Sequence, residues 1–376
     1  MLINLSDCIG DLARSGNTRL NDFVEDLFAA RRRGRHVIFS SIETLDALQT
    51  LPGLSNRTSQ AIQAVKARQR AKRGLLKNLP GYINVMGKNG ITATRVIGQQ
   101  KILDISFSNL NRDTFFQDAI LLVENESDGI LYQTIGEFIA HKKTESSQLH
   151  ISLEVQPGGG SQTPRRYRAL KNAADRFVLC IVDSDREHPT SDLGTNVAGP
   201  IMDEEAKLKS PFVTVTLIDC YSIENLIPAP LIQAAHARLG NDVENEDWYR
   251  DAVAFSENPI GAYVPLKNSQ KCSILRGTDE KSTYWLENSN VFRQTAKACK
   301  HWGVWHNCRN SCDLYKPISK KTLETVIEFF PTDKQRRSQQ LTQTLQSLPQ
   351  RIEYSWDAIA REIIQWGCSG ERLSLA

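Results

Sequence analysis

The chain has 376 residues, of which 40% are hydrophobic and 24% are charged, and both fractions are ordinary for a globular protein. No apolar run approaches the roughly 18 residues that a membrane span needs. The N-terminus lacks a charged segment followed by an apolar one, so we expect neither a membrane protein nor a secreted one. The eight Cys are scattered, which favours a reducing cytoplasm over a disulfide scaffold.

Charge is unevenly distributed along the chain. Residues 1–117 carry a net charge of +8, whereas the whole chain carries +3, so the remainder is acidic. A basic segment of this kind suggests contact with nucleic acid, although solvated basic helix faces explain the charge equally well. We divide the chain into a basic region 1–115, a central region 116–230 and a mostly helical region 231–376.

The basic region contains a helix–turn–helix pattern within residues 41–62, with Leu51-Pro52-Gly53-Leu54 as its turn. The segment resembles the helix-hairpin-helix DNA-binding motif, in which backbone N–H groups of the turn point at a phosphate. Ser55 stands where that family usually has a second glycine, and a plain packing unit of two helices is an equal alternative.

A basic run follows this pattern. Because sequence-independent binding of nucleic acid needs clustered cations, we predict phosphate contacts from this run. Its residues are Lys66, Arg68, Arg70, Lys72 and Arg73. Apolar runs at 91–97 and 102–107 then predict strands, which gives this region a mixed character.

Strands and helices alternate in the central region. Apolar runs at 119–123, 151–155, 177–182 and 212–218 predict four strands. Segments at 129–142, 163–176 and about 203–209 predict helices between them. This order predicts an α/β fold in which a parallel sheet is flanked by helices. In such sheets, ligands bind beyond the carboxyl ends of the strands.

Acidic residues follow three of these four predicted strands. Glu124 and Asp128 follow the first strand, Asp183 and Asp185 follow the third, and Glu224 follows the fourth. Carboxylates at neighbouring strand ends repel one another, and a hard cation such as Mg²⁺ or Mn²⁺ would keep them ionised. The sequence therefore predicts a divalent-metal site built from these five residues.

Roughly residues 117–228 resemble the TOPRIM domain, because four segments occur in the same order and in the same positions relative to the strands. Within TOPRIM proteins, these residues resemble the nucleases of the overcoming-lysogenization-defect (OLD) family. These segments are Leu121–Asp128, Gly158–Gly160, Val182–Asp185 and Ser222–Leu226. Two features depart from that family or find no match in this chain. Asn125 stands where the family usually has glycine, and the basic residue that its nuclease branch uses further on matches no particular Lys here.

The resemblance also implies roles for individual residues. Glu124 would act on water or bind metal, and Asp183 and Asp185 would hold Mg²⁺. Asp128 matches a further acid of the nuclease branch, and Glu224 would support a second metal ion.

These features predict a metal-dependent nuclease that hydrolyses phosphodiester bonds of DNA or RNA, because two metal ions can both activate water and stabilise the transition state. The chain lacks a GxxxxGK[ST] loop, so we do not expect it to hydrolyse ATP by itself. The resemblance allows a separate ABC-type ATPase as a partner and a role in anti-phage or anti-plasmid defence. Oligomeric state stays open.

Two other functions remain open at this point. A metal-dependent glycosyltransferase would explain Asp183 and Asp185, since its DxD motif also follows a strand, but it leaves Glu124 unexplained. A non-catalytic nucleic-acid-binding or sensor protein with a TOPRIM fold is the other alternative.

The third region holds all six Trp, for which core packing is the expected role. Segments at 320–330, 332–348 and 355–366 predict helices. Three Cys and two His also lie within 14 residues here and could bind zinc. They are Cys299, His301, His306, Cys308 and Cys312. They form no CxxC pair, so packing or free thiols is the favoured interpretation.

Overall fold

The computed structural model describes residues 1–88, 90, 92–110, 113–143, 149–238, 245–295, 299, 301, 304, 307–308, 312–345 and 347–373. Within these ranges, the side chains of residues 70–73, 75, 143, 245, 246, 248 and 335 are outside the description. The chain is mixed α/β, with a mostly parallel central sheet flanked by helices. The α/β class expected from the sequence is therefore confirmed.

The basic region forms a five-stranded sheet with helices. Its elements are β1 (Leu2–Leu5), α1 (Asp7–Arg14), α2 (Leu20–Arg32), β2 (Val37–Ser40), α3 (Ile42–Gln49), α4 (Asn56–Ala67), α5 (Gln69–Asn78), β3 (Gly81–Met86), β4 (Thr92–Ile97) and β5 (Gln100–Ser106). The strand order is β2-β1-β3-β5-β4, and only β4 runs antiparallel to its neighbour. The two strands predicted from residues 91–107 are present as β4 and β5, whereas β1 was not predicted.

The central region forms a four-stranded sheet that is parallel throughout, with the order β10-β9-β6-β8. Its elements are β6 (Ile120–Val123), α6 (Glu126–Lys143), β7 (His150–Ile151), β8 (Glu154–Pro157), α7 (Thr163–Ala173), β9 (Val178–Val182), α8 (Ala198–Lys207) and β10 (Val213–Leu217). The predicted strand 151–155 divides into β7 and β8, and only β8 joins this sheet. Helix α8 begins at Ala198 instead of near residue 203.

The third region is mostly helical. Its elements are α9 (Ala229–Arg238), α10 (Asn245–Glu257), α11 (Glu280–Glu287), α12 (Thr322–Phe329), α13 (Lys334–Thr344), α14 (Gln350–Gly367) and β11 (Cys368–Ser369), which pairs antiparallel with β7. Trp285 and Trp356 are fully buried and Trp366 is nearly so, which confirms the expected core role for these three. Trp302, Trp305 and the side chain of Trp248 lie outside the described part of the structure.

Helix α14 fastens the third region to the central one. Ile363 lies so close to α6 that a Cβ on Gly136 would stand 2.2 Å from Ile363 Cγ2, so α6 needs glycine at this crossing. The rings of Phe138 and Trp356 meet edge to face at 5.8 Å. Trp356 Nε1 also donates a 2.8 Å hydrogen bond to the Leu226 carbonyl. Helix α14 thereby positions both α6 and the short helix that contains Glu224.

Among the described helices, none is both long and apolar enough to cross a bilayer.

Candidate active site

The candidate site lies at the carboxyl ends of β6 and β9, which are neighbours at the centre of the four-stranded sheet. From β6 the chain crosses to β8 on one side and later to β9 on the other, so a topological switch point lies between β6 and β9. Open α/β sheets bind ligands in such crevices. Glu124 directly follows β6 and Asp183 directly follows β9, so the fold brings the two predicted acids together.

The triple glycine is part of this edge. The N–H groups of Gly158 and Gly159 donate to the carbonyls of Val123 and Glu124, at 2.7 and 3.0 Å. Gly159 has a φ of +82° and Gly160 a φ of +58°, conformations that side chains with a Cβ rarely adopt. The turn therefore holds the Glu124 backbone and starts α7 at the same edge of the sheet as the carboxylates.

Charge repulsion and desolvation act together on the acids. They raise the pKa of Glu124 from 4.5 to about 7, with desolvation the larger cause, followed by the charges of Asp128 and Asp185. Desolvation also raises the pKa of Asp128 from 3.8 to about 6, with a contribution from Glu224. Desolvation, followed by the charges of Glu124, Asp128 and Glu224, raises the pKa of Asp183 well above its usual range. Ionising these groups is therefore costly without a cation, and a bound divalent cation would offset that cost.

Asp128 lies buried in the first turn of α6. Its Oδ2 accepts a 2.9 Å hydrogen bond from the backbone N–H of Asn125, which closes the turn after β6. Asn125 is not among the residues with positive φ, so the backbone of this turn does not require glycine at that position. Asp128 therefore stabilises the turn and also lies beside the other acids.

Asp185 has an unusual backbone conformation, with a φ of +53°. Its N–H donates a 2.9 Å hydrogen bond to the Tyr221 carbonyl, which fixes the bend. A Cβ on Gly194 would stand 2.1 Å from Asp185 Oδ2, so glycine is needed where the following loop passes the carboxylate. Left-handed conformations at residues other than glycine cost on the order of 1 kcal/mol or more and cluster at functional sites.

Glu224 lies in the 3-10 helix Ile223–Leu226, and its side chain is 4% exposed, so it does not face solvent. Its Oε2 accepts a 2.7 Å hydrogen bond from Ser222 Oγ. Its Oε1 lies 3.0 Å from Lys267 Nζ. Both carboxylate oxygens are therefore engaged, one by a hydroxyl and the other by a cation.

Lys267 is the functional candidate that sequence reasoning missed. Burial favours its neutral form, but the charges of Glu224, Asp183 and Asp128 outweigh that effect and raise its pKa. The amine consequently stays protonated among the carboxylates. No local motif marks this Lys in the sequence, because it lies 43 residues beyond Glu224 and only the packing of the third region brings it to the site.

The carboxylates are more widely spaced than the ligands of one ion. Among the described residues, the potential metal ligands whose donor atoms all lie within 4.8 Å of one another are four cysteines, and not these acids. Sites that hold two ions spread their ligands over a larger area, with the ions about 4 Å apart. The five carboxylates supply oxygen ligands, which hard divalent cations prefer.

The predicted nucleic-acid-binding residues lie on α4, at its end, and on α5 of the basic region. Lys66 is the last-turn cation of α4 and pairs with Asp46, and Arg68 is exposed at the end of that helix. Arg70, Lys72 and Arg73 lie on α5, and their side chains are outside the described part of the structure.

The helix-hairpin-helix-like turn is engaged by an internal carboxylate. Glu25 accepts hydrogen bonds from the Ser55 N–H at 2.6 Å, from Ser55 Oγ at 2.9 Å and from Thr58 Oγ1 at 2.6 Å. These donors stand at the N-terminus of α4, where an anion is favourable. A phosphate at this helix end would have to displace Glu25.

The cysteine-rich segment contributes a second cluster. Cys299, Cys308 and Cys312 lie beside Cys272, which is distant in the sequence and was not predicted to join them. His301 is exposed, and His306 lies outside the described residues.

No protein-family model, curated protein or solved structure matches this chain.

Proposed function

We propose that the protein is a metal-dependent phosphodiesterase that cleaves nucleic acid internally. The observation that carries this proposal is the convergence of five carboxylates and one lysine at the switch point of a parallel sheet. Asp183 and Asp185 alone would suit the DxD of a glycosyltransferase, but Glu124, Asp128 and Glu224 beside them favour a phosphodiesterase.

Glu124, Asp183 and Asp185 would hold Mg²⁺ or Mn²⁺, with Asp128 and Glu224 supporting a second ion. When bound, such ions supply Lewis-acid activation of water and of the scissile phosphate. Glu124, whose pKa is raised to about 7, would also accept a proton from the attacking water.

Lys267 would stabilise the negative charge that develops on the phosphate. Its ammonium group is held by Glu224 at 3.0 Å and stays protonated, so it offers a preorganised donor to a phosphate oxygen. The first turn of α7 would approach the substrate backbone from the same edge, with Arg165 exposed there. The basic region would add sequence-independent affinity through phosphate contacts.

A separate ABC-type ATPase partner and a role in anti-phage or anti-plasmid defence remain part of the proposal. Both rest on the OLD-family resemblance and on the lack of a nucleotide-binding loop in the sequence. A search for ATP-dependent changes in cleavage after adding candidate ATPases would test the partner.

The function is tested by incubating the protein with supercoiled plasmid, linear DNA and total tRNA, in Mg²⁺, in Mn²⁺ and in EDTA. We expect cleavage of at least one substrate that needs the metal and stops in EDTA. Full cleavage in EDTA would contradict the proposal. Metal-dependent hydrolysis of nucleotide sugars without cleavage of nucleic acid would favour the glycosyltransferase, and metal binding without either reaction would favour the sensor.

A further inference from the structure

Four cysteines from distant parts of the sequence meet in the third region. Cys272 begins the 3-10 helix Cys272–Arg276, and the other three are Cys299, Cys308 and Cys312. Their sulfur atoms all lie within 4.8 Å of one another. Cys272 Sγ lies 3.2 Å from Cys308 Sγ, and Cys308 Sγ lies 3.5 Å from Cys312 Sγ. All four cysteines are free thiols, and three of them are buried.

The arrangement matches the ligand set of a structural zinc ion. Zinc with four thiolate ligands at about 2.3 Å places the sulfurs about 3.8 Å apart in a tetrahedron. Cys308 and Cys312 are separated by three residues, a spacing that is common for a pair of zinc ligands. Four soft sulfur donors select zinc over the hard cations expected at the carboxylates.

Hydrogen bonds around the cluster fix the backbone that carries the ligands. The Cys272 N–H donates to the Cys312 carbonyl at 2.7 Å, and the isolated bridge Lys271–Asp313 extends this pairing. Arg276 Nη1 donates to the Cys308 carbonyl at 3.2 Å. Contacts of this kind orient the ligands of a metal site and place a cation near its negative charge.

We propose that Cys272, Cys299, Cys308 and Cys312 bind one structural zinc ion. Four protein ligands leave no open position for substrate, so the ion cross-links the chain and takes no part in chemistry. Its binding energy would contribute directly to the folding of a segment where the structure describes helix α11, short 3-10 helices and loops.

The cross-link also reaches the candidate active site, a consequence that rests on the proposed function. Lys267 lies five residues before Cys272, and the segment after Cys312 holds the same loop. Tyr315 Oη donates to the Asn268 carbonyl at 2.8 Å, and the Ile318 N–H donates to the Leu266 carbonyl at 2.9 Å. Loss of zinc should therefore loosen the loop that presents Lys267 to Glu224.

The proposal is tested by elemental analysis of the full chain purified from zinc-supplemented cultures. We expect about one zinc per chain, and at least a tenfold lower zinc content in Cys308→Ser and Cys312→Ser. Cys8→Ser, outside the cluster, should keep the full content. Wild-type protein with only trace zinc would overturn the proposal, as would iron in place of zinc or disulfides among these four cysteines.

A second measurement uses the wild-type protein, so it does not depend on whether the variants fold. Treating the wild-type protein with a mercurial thiol reagent should release one equivalent of zinc, detected with a chromogenic chelator. Hydrogen exchange across residues 264–272 should then be faster in zinc-depleted protein than in zinc-loaded protein. Unchanged exchange would overturn the link to Lys267. Neither measurement depends on cleavage of nucleic acid, so failure of the zinc site and failure of the proposed function are distinguishable.

Discussion

Replacing Glu124 by Gln should make the metal-free protein more stable at pH 8. The pKa of Glu124 rises from 4.5 to about 7 on folding, because of desolvation and the neighbouring charges of Asp128 and Asp185. An acid whose pKa is raised on folding favours the native state at low pH, and this contribution is lost as the pH rises from about 4.5 through about 7. The difference corresponds to about 3 kcal/mol at pH 8, since one pKa unit is worth about 1.4 kcal/mol.

Glu124→Gln removes the ionisable group and hence this cost. In EDTA, the variant should be more stable than the wild type by up to about 3 kcal/mol at pH 8 and by less than about 1 kcal/mol at pH 5. With Mg²⁺ at a hundredfold excess over Kd, the two proteins should become similar in stability at pH 8, because only the wild type gains about 3 kcal/mol of metal-linked stability. The variant should also lose cleavage.

Urea unfolding followed by circular dichroism measures these differences. Glu126→Gln is the matched control, because Glu126 is exposed two residues further along the same turn. The free energy of unfolding of Glu126→Gln should follow that of the wild type at both pH values, in EDTA and in Mg²⁺. A Glu124→Gln protein that is less stable than the wild type in EDTA at pH 8 would refute the electrostatic reasoning.

Three further predictions concern other parts of the molecule. Lys267→Met should lower the cleavage rate about 100-fold with little change in substrate KM, since it removes a donor to the developing charge. Equal rates in the variant and wild type would remove Lys267 from the site. Arg165→Ala should weaken the binding of duplex DNA. It should also reduce the slope of log K against log salt concentration by about 0.9, which binding titrations at several salt concentrations can measure. An unchanged slope would mean that Arg165 faces solvent and contacts no phosphate. Burial, together with the N-terminal amine, lowers the pKa of His36 well below 6.5, so its neutral form is the native one. Wild-type stability should therefore fall as the pH drops below 6.5, by about 1.4 kcal/mol per pH unit from this residue. The free energy of unfolding of His36→Gln, measured with urea, should lack this part of the fall with pH.

Local patterns in the sequence predicted the strands that carry the site. Buried parallel strands are continuous apolar runs, so β6 and β9 are visible from their residues alone. Their acids follow at once, which made Glu124 and Asp183 candidates before the fold was known. In contrast, Asn4 interrupts the apolar run of β1, which becomes an interior strand through pairing with β2 and β3.

Contacts between distant segments could not be predicted in this way. Lys267 reaches Glu224 only after the third region packs against the central one. Cys272 reaches Cys308 only when two separate segments of the third region meet. Glu25 likewise meets Ser55 across 30 residues, and nothing in the local sequence marks that contact. Periodicity reports on burial along one element, whereas these pairs depend on how separate elements pack together.

The most direct test of a metal-dependent phosphodiesterase is the cleavage rate of Asp183→Ala in Mg²⁺, beside the wild type and Glu126→Gln. Asp183 lies among Glu124, Asp128, Glu224 and Lys267, so its loss should remove metal binding while relieving repulsion. We predict a rate at least 100-fold below that of the wild type, with a folded protein and with Glu126→Gln unaffected. A folded Asp183→Ala protein that cleaves at the wild-type rate would contradict the account.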